Sequence, residues 1–163
     1  MSERAAELRA AFDGAFAAAP APEAAPQVDL LRVRIGGEAY AIALAELAGF
    51  HADVRVVPLP SPAAELLGVA AIRGALVPVY DLRVVLGGAR GPASRWLALA
   101  QGAPPLALAF DQLDGHARAL ATELAPATGT PIRGALRLHD RLHQLLDIAS
   151  IRSVLHTRWD RKG

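Results

Sequence analysis

Gly68-Val69-Ala70-Ala71-Ile72-Arg73-Gly74-Ala75-Leu76-Val77-Pro78-Val79-Tyr80-Asp81-Leu82 is the stretch of this chain that says most about its fold. Two glycines frame an apolar run holding a single arginine. The run from Ala75 to Tyr80 predicts a strand, and Pro78 within it predicts an edge or a bulge, because proline offers no amide to a ladder. Asp81 then opens a helical turn as far as Leu86, its carboxylate placed to cap free amides, and Gly87-Gly88 ends the turn. Taken alone, Arg73 suits a structural role, its five donors tying loops together through carbonyls or a carboxylate.

Upstream of this stretch, Val28 to Ile35 alternates as a strand, Gly36-Gly37 turns the chain, and Glu38 to Leu44 returns as its partner. Ala45 to Phe50 fits a helical turn or a strand. Val54 to Val57 is a short β-branched run, and Pro58, Pro60 and Pro62 after it predict a rigid connector. Downstream, Trp96 to Ala100 and Leu106 to Phe110 predict a second hairpin around Gln101 to Pro105, with Arg118 to Leu124 extending that sheet. Gly134 to Leu138 and Leu142 to Leu146 predict a third hairpin about His139-Asp140-Arg141, and Asp147 to Leu155 turns helical. Short apolar runs broken about every ten residues by Gly, Pro and Asp read as one or two small antiparallel barrels.

At the N-terminus, Leu8, Phe12 and Phe16 share one face of an alanine-rich helix spanning Ser2 to Ala18, and Pro20, Pro22 and Pro26 make Ala19 to Gln27 a stiff linker. Residues 1–27 thus form an extension, 28–157 a domain, and 158–163 a basic tail with Arg158, Arg161 and Lys162. Charged Glu3, Arg4, Glu7, Arg9 and Asp13 stand where a signal peptide needs an apolar core. No run of about twenty apolar residues spans a bilayer as a helix, so a soluble protein is expected.

The 163 residues carry 17 Lys and Arg against 16 Asp and Glu, a net charge of +1, which argues against nucleic acid and anionic membrane as partners. Cysteine is absent, excluding disulfides, thiolate catalysis and Cys-ligated zinc, and fitting a reducing compartment. Of five histidines, His139 and His143 with Asp140 and Asp147 form the densest cluster. On a hairpin tip the two imidazoles need not converge, so solvated histidines are the better reading than a metal site. His51, His116 and His156 are isolated and read as surface or loop positions. Gly87-Gly88-Ala89-Arg90-Gly91 lacks the Lys-Ser/Thr ending of a phosphate loop, and no Gly-x-Ser-x-Gly elbow occurs. Nothing points to catalysis, a metal or a cofactor.

The opening stretch closely resembles the signature of CheW-like domains, in which Gly-Val-x-Asn-Leu-Arg-Gly leads into Pro-Val-x-Asp-Leu-Arg. Gly68, Val69, Arg73, Gly74, Pro78, Val79, Asp81, Leu82 and Arg83 match. Tyr40-Ala41-Ile42, Phe110-Asp111, Ile132-Arg133-Gly134 and Leu145-Leu146-Asp147-Ile148 follow in the family's order, so the resemblance covers nearly all of Val28 to Leu155. It implies a mostly β fold of two small five-stranded SH3-like barrels around a shared apolar core, with short helices and a groove between the barrels. It also implies a cytoplasmic, non-catalytic adaptor of chemosensory signalling, whose partners are the regulatory domain of a chemotaxis histidine kinase and the cytoplasmic tip of chemoreceptors. Leu44 and Leu47 match positions on the receptor-facing surface, with Gly68, Ile72 and Arg73 in the signature beside it. Gly49 stands where many members carry a glutamate that pairs with the signature arginine, and Ala71 replaces the usual asparagine. These departures suggest a specialised member from an accessory or motility-related pathway, or a modulator that binds one partner or itself.

Overall fold

Alternation of side chains along β1 (Gln27–Ile35) sends Leu31, Val33 and Ile35 into one apolar cluster and Leu30 into another, so this strand is buried on both faces. Its partner β2 (Glu38–Ala43) divides the same way, with Tyr40 and Ile42 in the first cluster and Ala41 and Ala43 in the second. Two layers of packing on one hairpin require two sheets. A computed structural model, describing residues 26–162, shows both.

After β2 the chain makes a 3-10 turn (Leu44–Glu46) and continues as β3 (Leu47–Ala52), β4 (Val56–Pro58), β5 (Leu66–Ile72) and β6 (Ala75–Asp81). A one-turn helix α1 (Leu82–Val85) precedes β7 (Trp96–Ala100) and β8 (Ala107–Phe110). Strand β9 (Gln112–Leu120), a 3-10 turn (Ala121–Glu123), β10 (Ile132–Leu138), β11 (Arg141–Leu146) and helix α2 (Ile148–Lys162) complete the order. The first sheet is five-stranded, β10-β11-β2-β1-β9, and the second six-stranded, β3-β7-β8-β6-β5-β4. Both are open.

Leu31, Val33, Ile35, Leu108, Phe110 and Leu146 meet Ile148, Ile151 and Leu155 of α2 in one cluster, so the two sheets and the helix share a core. Each such fully buried Leu, Ile or Phe contributes about 1.5–3 kcal/mol. The inner face of the second sheet has its own cluster, with Ile72, Val77, Val79, Leu97 and Leu99.

All three predicted hairpins form. Pro78 does not mark an edge or a bulge: β6 lies inside the sheet between β5 and β8, and the proline is accommodated because it pairs with Val69 on β5 while the pairing with β8 begins one residue later, at Val79. Four further expectations are corrected. Val56–Pro58 is a strand on the free edge of the second sheet, not a bare connector, because Val57 and Pro58 need only the β5 side for pairing. Segment 118–120 belongs to β9 and pairs with β1 in the first sheet, not with β7 and β8. The sheets are not wholly antiparallel, since β6 with β8 and β11 with β2 run parallel. The barrels' even division into five and five strands becomes five and six through β4.

At its start, β1 begins at Gln27, with Pro26 carbonyl accepting from Ala121 amide at 2.8 Å, one residue inside the predicted linker. The predicted helix at 2–18 lies outside the described residues. At the other end α2 runs through the stretch read as a tail. Asp147 caps that helix, accepting from the Ser150 amide at 3.1 Å and its hydroxyl at 2.8 Å. Glu46 reaches over from the 3-10 turn to accept the Ile148 amide at 3.2 Å. Burial raises the Glu46 carboxyl above its usual 4.5, the Ile148 amide pulls it back, the nearby Asp147 charge raises it again, and Arg133 lowers it. A folded state that holds this proton more tightly gains stability that is complete below 4.5 and lost as pH rises through the elevated value. Glu46→Gln should therefore gain in urea midpoint relative to the parent as pH rises from 4.5 toward neutral. A relative loss over that range would mean that the helix N-terminus favours the charge more than burial opposes it.

Candidate interaction surface: the signature hairpin and its groove

Arg73 and Gly74 form the tip between β5 and β6, with φ of 52° and 77°. Both lie in the left-handed region that tight hairpins require, and glycine at the second position bears it without cost. The tip folds back over β3: Arg73 Nη2 donates to the Ala48 carbonyl at 3.1 Å, and a Cβ added to Gly49 would stand 2.9 Å from the same nitrogen. The guanidinium thus fills the space beside Gly49, where the resemblance implies a glutamate, and is satisfied by a carbonyl. Glu46 does not take that glutamate's part, its carboxylate being turned to α2.

The five residues the sequence nominates for partner binding separate in space. Arg73 is exposed at the hairpin tip and Leu44 is half-buried against the shared core. Leu47 is buried in the shared core and Ile72 in the inner cluster of the second sheet, so neither side chain offers a contact surface. Gly68 is buried under β4, where a Cβ would stand 2.0 Å from the Val57 carbonyl oxygen. Its role is to let two backbones approach. Arg73 joins the surroundings of Leu47 through Ala48 and Gly49, and Gly68 and Ile72 hold up the same hairpin from within.

What sequence reading missed lies on the other flank of that tip. Leu76 is 74% exposed, and Phe50 on β3 and Leu59 after β4 are also exposed. Leu76 joins Leu59, Val69 and Pro78 as one wall of a groove of about 740 Å³, closed opposite by Leu155 and its neighbours on α2. A smaller recess of about 230 Å³ continues past Leu66 and Tyr80 to Arg158, which faces Glu65 at 3.8 Å. Arg152 of α2 donates to the carbonyls of Gln101 (2.8 Å) and Pro104, fixing the β7–β8 loop as the groove's end. The signal for Leu76 was present: with Val77 and Val79 buried beneath, the apolar Val69, Leu76 and Pro78 on the outer face leave the hairpin apolar on both sides. Among the described residues this apolar wall has no cover, and exposed apolar walls are a common feature of surfaces that meet other molecules.

The rest of the signature is a staple. Asp81, 0% exposed, accepts from the Arg83 amide at 3.0 Å and Arg83 Nε at 3.2 Å. The Arg83 side chain, 9% exposed, also donates to the Pro92 carbonyl at 2.6 Å and faces Asp111 at 3.4 Å. Asp111 in turn accepts from the Gly36 amide in the β1–β2 turn at 2.6 Å and from the Ser94 hydroxyl at 3.2 Å. Asp81-Arg83-Asp111 therefore ties α1 and the second sheet to the opening hairpin of the first.

Histidines need a correction. His139 is exposed on its turn, but His143 is 1% exposed, its Nδ1 3.0 Å from the Arg141 carbonyl, so it is not solvated. His51 is half-buried in β3, and His116 pairs with Asp29 at 2.9 Å on the surface of β9. Among the described residues no group of three or more His, Asp or Glu converges as metal ligands, and no helix is long and apolar enough to cross a membrane.

The family model of the CheW-like domain matches residues 29–155. No curated protein matches significantly. Among solved structures, the scaffolding protein TtCheW from Thermoanaerobacter tengcongensis superposes with a TM-score of 0.65 at 15% identity, over 75% of this chain and 90% of that one. That likeness concerns the fold, and the family match takes in the signature hairpin, the staple and the capped entry to α2 together. This chain belongs to the CheW-like domain family.

Proposed function

We propose that this chain is a non-catalytic adaptor that couples chemoreceptors to a CheA-type histidine kinase in a two-component chemosensory system, acting in the cytoplasm. The CheW-like family is one of scaffolds in chemotaxis signalling, and a scaffold works through its surfaces. In this reading residues 28–157 are the working domain, and the two open sheets are the counterparts of the family's two SH3-like barrels.

The observation that carries the proposal is the groove beside the signature hairpin, apolar along Leu59, Leu76 and Leu155 and open at the surface. Its walls suit a helix laid along them, where packing area supplies the affinity, and a chemoreceptor's cytoplasmic tip is such a helical segment. Arg73, Leu44 and exposed Phe50 border the hairpin from the β3 side. The kinase's regulatory domain contacts a surface outside the groove.

Binding of the full chain to a receptor-tip fragment and to the kinase regulatory domain, measured separately by calorimetry, tests this. Leu76→Asp leaves the folded core untouched and should weaken the tip by about tenfold or more while sparing the kinase domain. Undiminished tip binding by that variant would remove the groove from the proposal. A second reading, a modulator that engages one partner or itself, is favoured by Gly49, where Arg73 has settled on a backbone carbonyl. Binding of only one partner by the parent chain would select it.

A further inference from the structure

Strand parity places a second concave site far from the signature in sequence, at the open end of the first sheet. On β1, Arg32 and Arg34 share a face with Leu30, and on β11, Arg141 and His143 share a face with Leu145. The strand between them, β2, offers only Ala39, Ala41 and Ala43 to that face, and β9 sets Gly115 opposite Arg32. A Cβ on Gly115 would stand 3.1 Å from Arg32 Nη2. Small neighbours thus leave a pocket of about 310 Å³ lined by Arg32, Arg34, Asp114, Leu138, His139, Arg141 and His143.

Its charge is unbalanced. Three guanidiniums against one carboxylate leave +2 with both histidines neutral, in a chain whose whole net charge is +1. Asp114 is already engaged: it accepts from Arg34 Nε at 2.9 Å and from Gln112 at 2.8 Å. Arg32 reaches only the Asp114 backbone carbonyl, at 3.2 Å. Two buried polar atoms of the lining, Arg32 Nε and His143 Nε2, have no hydrogen-bond partner. Because a carbonyl only accepts, the His143 Nδ1 proton is committed to Arg141, which directs the ring's unused nitrogen away from that bond. His139 and Asp140 hold the turn at φ of 49° and 61°, a conformation L side chains rarely adopt, and it brings His139 to the rim. Asp140 is not in the lining.

An unpaired buried donor on Arg32, an excess of two positive charges and a polar concave wall together describe a receptor for a doubly charged oxyanion. We propose that this pocket binds a phosphate-type dianion, held by Arg32 and Arg141, with Arg34 braced by Asp114. The site is separate from the partner surfaces above and does not depend on their assignment. It gives the adaptor a second input, a small anionic ligand on the sheet opposite the signature hairpin.

The test uses the full chain with inorganic phosphate as probe at constant ionic strength, followed by calorimetry and by the imidazole NMR signals. Arg141→Ala removes an exposed side chain and Arg118→Ala, outside the pocket, serves as control. Saturable binding in roughly the millimolar range or tighter, weakened about tenfold by Arg141→Ala and unchanged by Arg118→Ala, with His139 and His143 signals moving together, is the expected result. Phenyl phosphate binding better than inorganic phosphate would identify a phosphomonoester as the source, and the reverse order the free ion. Failure to saturate, equal binding by Arg141→Ala, or equal binding of acetate would overturn the proposal.

Discussion

Asp81→Ala should cost the domain about 3–5 kcal/mol, because it takes from the nearly buried Arg83 guanidinium its fully buried partner and leaves it only the partly exposed Asp111 and neutral acceptors. Asp81 is fully buried and meets Arg83 three ways: through the backbone amide, through Nε, and through Nη2 at 3.4 Å. Its loss also uncaps the first turn of α1. For a domain of this size the expected fall in Tm is about 10 °C, at roughly 2–4 °C per kcal/mol. The measurement is urea and thermal unfolding of the single variant beside the double variant Asp81→Ala/Arg83→Leu. Much of the cost is a nearly buried charge left under-paired, so the double variant should lose less than the single one. A loss below about 1 kcal/mol for Asp81→Ala would show that water relaxes around Arg83 and that the staple does not bind the two sheets.

Gly68→Ala should be the other large effect, and a local one. The added methyl would stand 2.0 Å from the Val57 carbonyl oxygen and 2.7 Å from its carbon, both backbone atoms that cannot swing aside. Gly68 also sits at φ of 154°, where β5 shifts register against β6. Strand β4 must then leave β5, abandoning the pairs Val56 with Ala70, Val57 with Val69 and Pro58 with Gly68. We expect a loss of about 2–4 kcal/mol. Amide exchange should rise across β4 and β5 while the β1–β2 hairpin keeps its protection. Gly74→Ala is the comparator: it too has a positive φ, but nothing lies within 4 Å of its added carbon, so only strain of about 1 kcal/mol applies. Equal losses for the two variants would show that φ, and not the approach of β4, requires glycine at 68.

These two positions also show what the sequence could and could not reveal. Asp81 was legible as a cap because a carboxylate before an apolar turn has few other uses, but the bridge from Arg83 on to Asp111 joins residues 28 positions apart and leaves no local pattern. Hairpins around Gly36-Gly37 and Arg73-Gly74 were legible because turn chemistry is local. The place of β9 beside β1 was not, since a long-range pairing is decided by which face needs cover. Leu47, Gly68 and Ile72 were picked out through a family likeness, which marks importance without distinguishing support from contact; burial separates the two. Leu76 escaped notice because alternation does not say which face of a hairpin apolar on both sides is covered. The basic pocket was invisible for the same reason, its residues coming from β1, β9, β10 and β11.

Open sheets end in free backbone, and the second sheet's two ends are both guarded. On one side β4 finishes in Pro58 and runs into Pro60 and Pro62, which offer no amide to an incoming strand. On the other, the Ala48 carbonyl of β3 is occupied by Arg73, and the strand shifts register between Leu47 and Gly49. Edge-to-edge growth with another chain is thereby discouraged next to the most exposed leucine on the described surface. A visitor to this face must bring side chains to pack, not a strand to add, which keeps association selective and reversible where an unguarded edge would invite polymerisation.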